Sequence, residues 1–426
     1  MSKLTNSGIF IPSLKQPAAS RPVTDIPTPE RILVPLVSGD GTFCRLTARI
    51  DDTINKGGII ASSDDNSMHV YSPVSGVLAG RQAVLHPIYG NVACAVIENI
   101  REKGEDEKKE SDINLSGDEV LEIAREKGIV DELDGQLLAE KLAACRNSEN
   151  LILIADGSDS EPYSSSSWAV INESCPEVYR GLKLAGIAVN TNNIYLGVRL
   201  GKKAFSSLQH KYMQEIEPSV FINAGKKYPV NYKFEKDLFK SHPTVCRIGV
   251  QACLALYRAA AFGEAPSSCI VTVAGDCVAN PQNVRVPFGT LVEDLLRFCG
   301  LAQNPEYVII GDAMTGIAIQ NTEIPVVPGI SCLLAIKNRV QPPAHACIGC
   351  GRCARACHAG LLPYEIMRRL DNMQYERLDY LLPEECDGCG ACSHVCPAGL
   401  DVTYKVLEAR DAQGNIFVKW GTGDEL

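Results

Sequence analysis

The sequence predicts a multidomain fold of mixed α/β and α+β class. Three patterns predict it. Short strands broken by glycine turns fill residues 31–100, helices alternate with strands across 119–244, and two four-cysteine runs follow residue 341. A chain of 426 residues has room for two to four domains. Its 45% hydrophobic and 22% charged content is ordinary for globular protein. A net charge of −10 with no basic stripe argues against a nucleic-acid surface. No apolar run reaches the roughly 18 residues that a membrane span needs. Met1–Phe10 does not read as a signal peptide. The expectation is a cytoplasmic protein with no direct membrane span, peripheral to a membrane only through a partner.

Residues 1–30 are rich in proline and poor in apolar clusters, and read as an extended N-terminal arm. Arg31–Val37 is a strand. The Gly39-x-Gly41-x-x-Cys44 that follows imitates a dinucleotide fingerprint, but its third glycine is missing and no helix pattern follows. Leu46–Ile50, Ile59–Ile60 and His69–Val77 are further short strands, with a turn at Asn55–Gly58. This unit, 31–100, is similar to the barrel-sandwich hybrid of biotinyl and lipoyl carrier domains. No modifiable lysine sits at the hairpin before Ser72, so the barrel is expected to be structural. Residues 101–118, with Glu105–Glu110 all charged, read as a solvated linker.

From 119 to 244 the pattern is a Rossmann-like α/β domain. Helices are expected near 119–127, 137–145 and 174–184, and strands at 151–154 and 193–198. Such a sheet binds ligands at the carboxyl ends of its strands, here the loop 156–163. From 245 to 340 a helix (251–261) precedes strands 269–273 and 283–286. A helix after a Thr290/Glu293 capping box and the strand 307–310 follow. That order suggests a β-grasp fold. Gly311–Gly316 lacks the Lys-Ser/Thr of a phosphate loop and reads as a turn.

The cluster domain is placed at 341–409, with a polar tail at 410–426. Cys347, Cys350, Cys353 and Cys357 form one C-x2-C-x2-C-x3-C run, and Cys386, Cys389, Cys392 and Cys396 repeat it. This is the spacing of bacterial-ferredoxin-like 2[4Fe–4S] domains. Three thiolates on a tight loop grip one cube, and the fourth cysteine reaches the other. The assignment is Cys347, Cys350, Cys353 and Cys396 for cluster 1, and Cys386, Cys389, Cys392 and Cys357 for cluster 2. Structural zinc uses paired C-x2-C units rather than four cysteines in one run, and disulfides do not suit a chain without a secretory signal. The other ten cysteines are scattered, as small buried apolar residues would be. With thiols this numerous, an anaerobic source is expected. His358 replaces the proline that ends such a run, and is a candidate hydrogen-bonding or titrating neighbour of a cluster.

Assembled, these pieces resemble the C subunit of the Rnf electron-transport complex from about Pro35 to Val406. The most telling segments are Ser72–Val77, Ser160–Tyr163, Lys226–Pro229, Val271–Asp276, Pro287–Thr290 and the two cysteine runs. The β-grasp piece resembles the soluble-ligand-binding β-grasp (SLBB) domain. The resemblance implies an FMN site in the α/β domain that takes hydride from NADH and passes electrons to the clusters. Its residues here would be Gly135, Asp156, Gly157, Asp159, Glu161 and Tyr163. Three departures point to a weakened or lost site. The family's glycine-rich loop has become Asp131–Glu140, where only Gly135 remains. Asp156 replaces an asparagine, and Arg247 replaces another. The expectation is therefore an oxidoreductase component without catalytic residues of its own. It would relay electrons from an NADH- or flavin-dependent donor to a terminal reductase, or to Rnf membrane subunits. In this it resembles the diverged Rnf C-like proteins associated with proline reductase. Two other readings remain: an FMN-containing, NADH-oxidising Rnf component, and a small-ligand-binding β-grasp module. A cobalamin reductase of the same superfamily is less similar, since its flavin domain leads the chain.

Overall fold

The computed structural model describes residues 8–101, 110, 111, 113–229, 244–302, 304–337 and 343–412. Two small sheets make the first unit. One orders strands Arg31–Pro35, Gly90–Arg101, Ser75–His86 and Thr53–Ile54, and the other Arg45–Leu46, Ile59–Ser62 and His69–Tyr71. Ile32, Leu78 and Ile97 of the first meet Ile60 and Val70 of the second in a shared core. The long hairpin 75–86/90–101 exceeds the expected strand, which stopped at Val77. Arg81 and Gln82 break the apolar pattern, yet they pair with Ala95 and Cys94. The expected strand Leu46–Ile50 shrinks to Arg45–Leu46.

In the α/β unit a parallel sheet orders Phe221–Asn223, Ile194–Val198, Ile152–Gly157 and Val245–Gly249. Ile152–Gly157 is buried along its whole length, as a strand covered on both faces must be. Chain order runs outward from it on one side, then returns to its other side at Val245. The carboxyl ends of 152–157 and 245–249 therefore flank a topological switch point, the usual ligand crevice of such sheets. Helix Ser166–Ala188 is longer than expected. It kinks at Ser174 ahead of Pro176, which lacks the N–H that the helical ladder needs. The sequence pattern showed only the part beyond that kink.

The β-grasp unit is a six-stranded mixed sheet in the order Thr24–Asp25, Gln282–Pro287, Ser268–Ala274, Cys332–Ile336, Tyr307–Ile310, Ile317–Ile319. Helix Val292–Phe298 packs Val292, Leu295 and Leu296 onto it. The expected capping box is absent. The Thr290 hydroxyl donates to the Pro287 carbonyl, and the Glu293 N–H goes to Thr322 O. The extension from a neighbouring loop takes the place of a cap.

Three expected boundaries change. The N-terminal arm is tied down: it forms the turn of helix Gln16–Ala19, with Ala18 buried, and its Thr24–Asp25 adds an edge strand to the β-grasp sheet. Of the linker 101–118, residues 102–109 and 112 lie outside the described residues. Its end belongs to helix Gly117–Glu126, capped by Ser116. Helix Val402–Asp411 runs past the expected start of the tail, and Arg410 is buried and donates to Cys386 O. Residues 413–426 lie outside the described residues. Of the ten scattered cysteines, Cys145 is half-buried and the rest are buried.

Helices 166–188 and 250–262 meet at Gly181. A Cβ there would lie 1.8 Å from the Cys253 carbonyl oxygen. Gly181→Ala must push the two helices apart, and chemical denaturation should show a loss of about 1–3 kcal/mol.

Candidate iron–sulfur site and the sheet crevice

The cluster domain is built twice. Each position of the first run recurs 39 residues on: 347 to 386, 350 to 389, 353 to 392, 357 to 396. Each half is a cysteine loop, a short helix (Arg352–Ala356; Ala391–His394) and a longer one (Pro363–Asp371; Val402–Asp411). Like elements of the two halves pack together. Gly351 and Gly390 stand immediately before the short helices at φ 68° and 75°, a left-handed turn that curls the cysteine loop back on itself. Between the halves, the expected helical stretch 364–380 is helix 363–371 followed by 3-10 turns at 375–377 and 379–381.

The two halves face different surroundings. Cys386, Cys389, Cys392 and Cys357 line one enclosed pocket together with His358, Asp387 and Thr403. Three come from the second run and one from the first. Burial raises all four thiols above the ordinary cysteine pKa, Cys386 to about 12. Empty, this pocket would hold neutral thiols, and only a bound cation would draw off their protons. The donor set fits an iron–sulfur cube. Cys347 and Cys350 are exposed, Cys353 is buried, and Cys396 is half-buried beside an open groove. His358 Nε2 sits 2.8 Å from Asp387 Oδ2, and this pair lies within 4.8 Å of Cys389 Sγ. The histidine in the proline position thus ties the end of the first run to the start of the second.

The loop once expected to hold flavin serves as a joint. Glu161 accepts from Met314 N (2.6 Å) and Thr315 Oγ1 (2.7 Å) of the β-grasp unit. The Tyr228 hydroxyl lies 3.2 Å from Glu161 Oε1 and 2.5 Å from Cys389 O, in the wall of the four-cysteine pocket. Tyr163 N donates to Ser13 O of the arm. Lys15 of the arm donates to Ser164 O (2.6 Å) and to Asp159 O.

Both helix N-termini at this end of the sheet are filled by the chain's own carboxylates. Asp159 accepts from Ser167 N and Trp168 N, at the start of helix 166–188. Glu132 accepts from Gln251 N (2.6 Å) and Ala252 N (3.0 Å), at the start of helix 250–262. Asp131 accepts from Gly249 N and pairs with Lys141 at 2.6 Å. Burial and Asp131 push Glu132 up to about 8. These N–H groups are where a phosphate would bind. A Cβ on Gly157 would meet Ile171 at 2.2 Å, so the strand end is closely packed too. The residues present do not fit an FMN phosphate at the switch point.

The charge of Asp156 is offset, because Arg247 pairs with it at 3.8 Å. Gly135 turns the 131–136 loop near Ile88 and lines a cleft with Gly39 and Tyr89. Sequence reasoning missed Glu132, Lys15, Asp312 and Tyr228 as partners in this region. A carboxylate inside the altered glycine loop was the one available signal.

Comparison with known proteins agrees with this architecture. Residues 4–102 match the RnfC barrel sandwich hybrid domain, 270–318 the SLBB domain, and 346–400 a 4Fe-4S dicluster domain. In its domains and their order the chain is similar to RnfC-type proteins. This RnfC-like chain is 28% identical to the C component of a proton-translocating ferredoxin:NAD(+) oxidoreductase complex from Clostridium ljungdahlii, over 90% of this chain and 88% of that one. It is 26% identical to the C components of the ion-translocating oxidoreductase complexes of Pectobacterium carotovorum and Rhodobacter capsulatus. Those alignments take in 85% and 82% of this chain, but 51% and 71% of the relatives, so it spans only about half of the Pectobacterium protein. A chain of NAD+-reducing [NiFe]-hydrogenase overlaps with a TM-score of 0.43 and 14% identity, over 70% of this chain and 63% of that one, a likeness too loose to bear on function. The protein is an iron–sulfur electron-transfer component of the RnfC type. Among the described residues no helix is long and apolar enough to cross a membrane.

Glu132→Gly frees two helix N–H groups. It should cost about 1–3 kcal/mol, and millimolar sulfate should restore part of that loss in thermal unfolding while leaving the wild type unchanged.

Asp312 gives a pH signature. It is half-buried with Oδ1 buried and unpartnered, and desolvation and Glu161 push it up to about 7. Its folded pKa lies above the unfolded value of about 4. The folded state therefore holds the proton longer, and stability falls as pH rises from about 4 to about 7. Asp312→Asn should gain on the wild type across that window, as read by urea midpoints.

Proposed function

We propose that this chain relays electrons through two [4Fe–4S] clusters. Cys347, Cys350, Cys353 and Cys396 hold the first, and Cys386, Cys389, Cys392 and Cys357 the second. The observation that best supports this is the enclosed pocket on which three cysteines of one run meet the last cysteine of the other. When bound, each such cluster takes up and gives back one electron at a time.

The protein's own residues set the conditions for that exchange. Leu361, Pro363 and Val406 line the second pocket and help to keep water out. Thr403 Oγ1 lies 3.2 Å from Cys392 Sγ and also accepts from Ser393 Oγ, which fixes one polar group against a ligand sulfur. His358 and Asp387 form a second polar contact at the pocket rim. Hydrogen bonds of this kind are among the factors that tune cluster potentials.

The donor in this reading is an NADH- or flavin-dependent protein, and the acceptor a terminal reductase, with proline reductase as one case suggested by resemblance. A chain that itself oxidises NADH through FMN is disfavoured, since Glu132 and Asp159 occupy the helix ends that would receive the phosphate. The relay needs no membrane span. It operates in the cytoplasm or against a membrane complex through a partner.

Anaerobically reconstituted protein should hold about eight irons and eight sulfides and no flavin. Cys392→Ser should lower the iron count towards about four and remove one of two electron-paramagnetic signals. Zinc without sulfide would overturn the reading, and stoichiometric FMN would restore the NADH-oxidising alternative.

A further inference from the structure

The two cysteine runs differ in what they offer to another protein. The second is walled in. Tyr228 donates to the Cys389 carbonyl, and a Cβ on Gly390 would lie 2.8 Å from the Met314 carbonyl oxygen. A partner cannot approach that loop without parting the β-grasp and cluster units. The first run is open: every residue from 343 to 350 is exposed, and Ile348 stands 69% exposed at the tip of the loop.

Charge separates them as well. The sequence has no Asp or Glu between 343 and 364, but it has Arg352 and Arg355 there. The second run instead has Glu384, Glu385 and Asp387. Both arginines are exposed and line an open groove with Ile9, His394 and Cys396. Among the described residues neither makes an ion pair, and Arg355 donates to Cys350 O. Phe10, next to Ile9, is 72% exposed under the Lys227 ammonium, and Lys226 is exposed beside it. This positive rim lies on a chain whose net charge is −10.

We infer that the face around Cys347–Arg355 is the docking port for an acidic one-electron redox protein, with Arg352 and Arg355 steering the encounter. This rests on the two-cluster reading and names its outward end. Electrons pass between the chain and that partner at the first run, while the second run faces the interior of the protein. Opposite charge speeds such encounters most at low ionic strength, and salt removes the advantage. The exposed Ile348 supplies an apolar contact at the centre of a charged rim.

The test uses cluster-loaded full-length protein, reduced and then oxidised in a stopped-flow instrument. Ferricyanide serves as the anionic one-electron oxidant and hexaammineruthenium(III) as the cationic one. An acidic ferredoxin is titrated in parallel, so that binding is read without electron transfer. Arg352→Glu/Arg355→Glu should slow ferricyanide by at least about tenfold at low salt, leave the ruthenium complex unslowed, and weaken ferredoxin binding by a similar factor. The differences should vanish in high salt. Lys56→Glu/Arg81→Glu, the same charge change on the first domain, should do none of this. If the Glu pair fails to load clusters, Arg352→Gln/Arg355→Gln takes its place with a smaller shift of the same sign. Iron, sulfide and resonance signals are counted on every sample. Intact clusters with unchanged charge selectivity, or equal effects in the control pair, overturn the port. Absence of clusters from the wild type overturns the relay reading itself.

Discussion

The buried hydroxyl of Tyr228 is the contact on which the arrangement of the domains depends. It lies between Glu161 of the α/β unit and the carbonyl of Cys389 in the cluster unit, while Glu161 also binds Met314 N and Thr315 Oγ1 of the β-grasp unit. Three units therefore meet through one carboxyl and one phenol. A hydroxyl has a single proton. The shorter of its two contacts is the one to the Cys389 carbonyl, at 2.5 Å against 3.2 Å to Glu161. Burial raises the pKa of Glu161, and the hydrogen bonds from Thr315, Met314 and Tyr228 oppose that shift. The buried carboxyl is thereby surrounded by donors, which offsets the cost of taking it out of water. The N-terminal arm closes the same joint from outside, since Ile9 pairs with Tyr228 and Gly8 N donates to Ala356 O.

A second constraint works at the same carboxyl end of the α/β sheet. Helix N-termini at a switch point present unpaired N–H groups, and something must satisfy them. In a ligand-binding sheet that can be a phosphate. Here Glu132 and Asp159 satisfy them permanently. An internal carboxylate is held by the chain and need not be captured from solution, so an external anion competes at a disadvantage. Beside them the charge of Asp156 on one strand is offset by that of Arg247 on its neighbour. At both of these helix ends the chain's own side chains hold the N–H groups that a ligand's phosphate would need.

Much of this was legible in the sequence, and the limits are physical. The cysteine runs were legible because metal ligation demands fixed spacing. The all-buried strand 152–157 and the amphipathic helices were legible because their periodicity is local. The erosion of the glycine loop at 131–135 was visible, but its consequence was not. That Glu132 reaches Gln251 depends on a contact between residues more than a hundred positions apart. Tyr228 and Lys15 were illegible for the same reason, since nothing local distinguishes a phenol that joins three domains from one that fills a core. The Thr290/Glu293 pattern misled because a capping box is a local preference, and the neighbouring carbonyl of Thr322 took the N–H first.

The duplication in the cluster unit sharpens the functional reading. Two runs with identical spacing would bind identical cubes if spacing were all that mattered. Their surroundings differ in exposure, charge and hydrogen bonding. One loop is exposed, positively rimmed and free of acids, whereas the other is enclosed, flanked by Glu384, Glu385 and Asp387, and hydrogen-bonded to the domain junction. His358 belongs to the first run but lines the second pocket, against Asp387, so the one local departure from symmetry acts on the inner site. With two clusters bound as proposed, an electron would be harder to add at the enclosed site, which has lower polarity and adjacent acidic residues, than at the exposed, basic one. On that reading the environment would order the two sites, with the outer one favoured to hold the electron next to the surface where a partner could collect it.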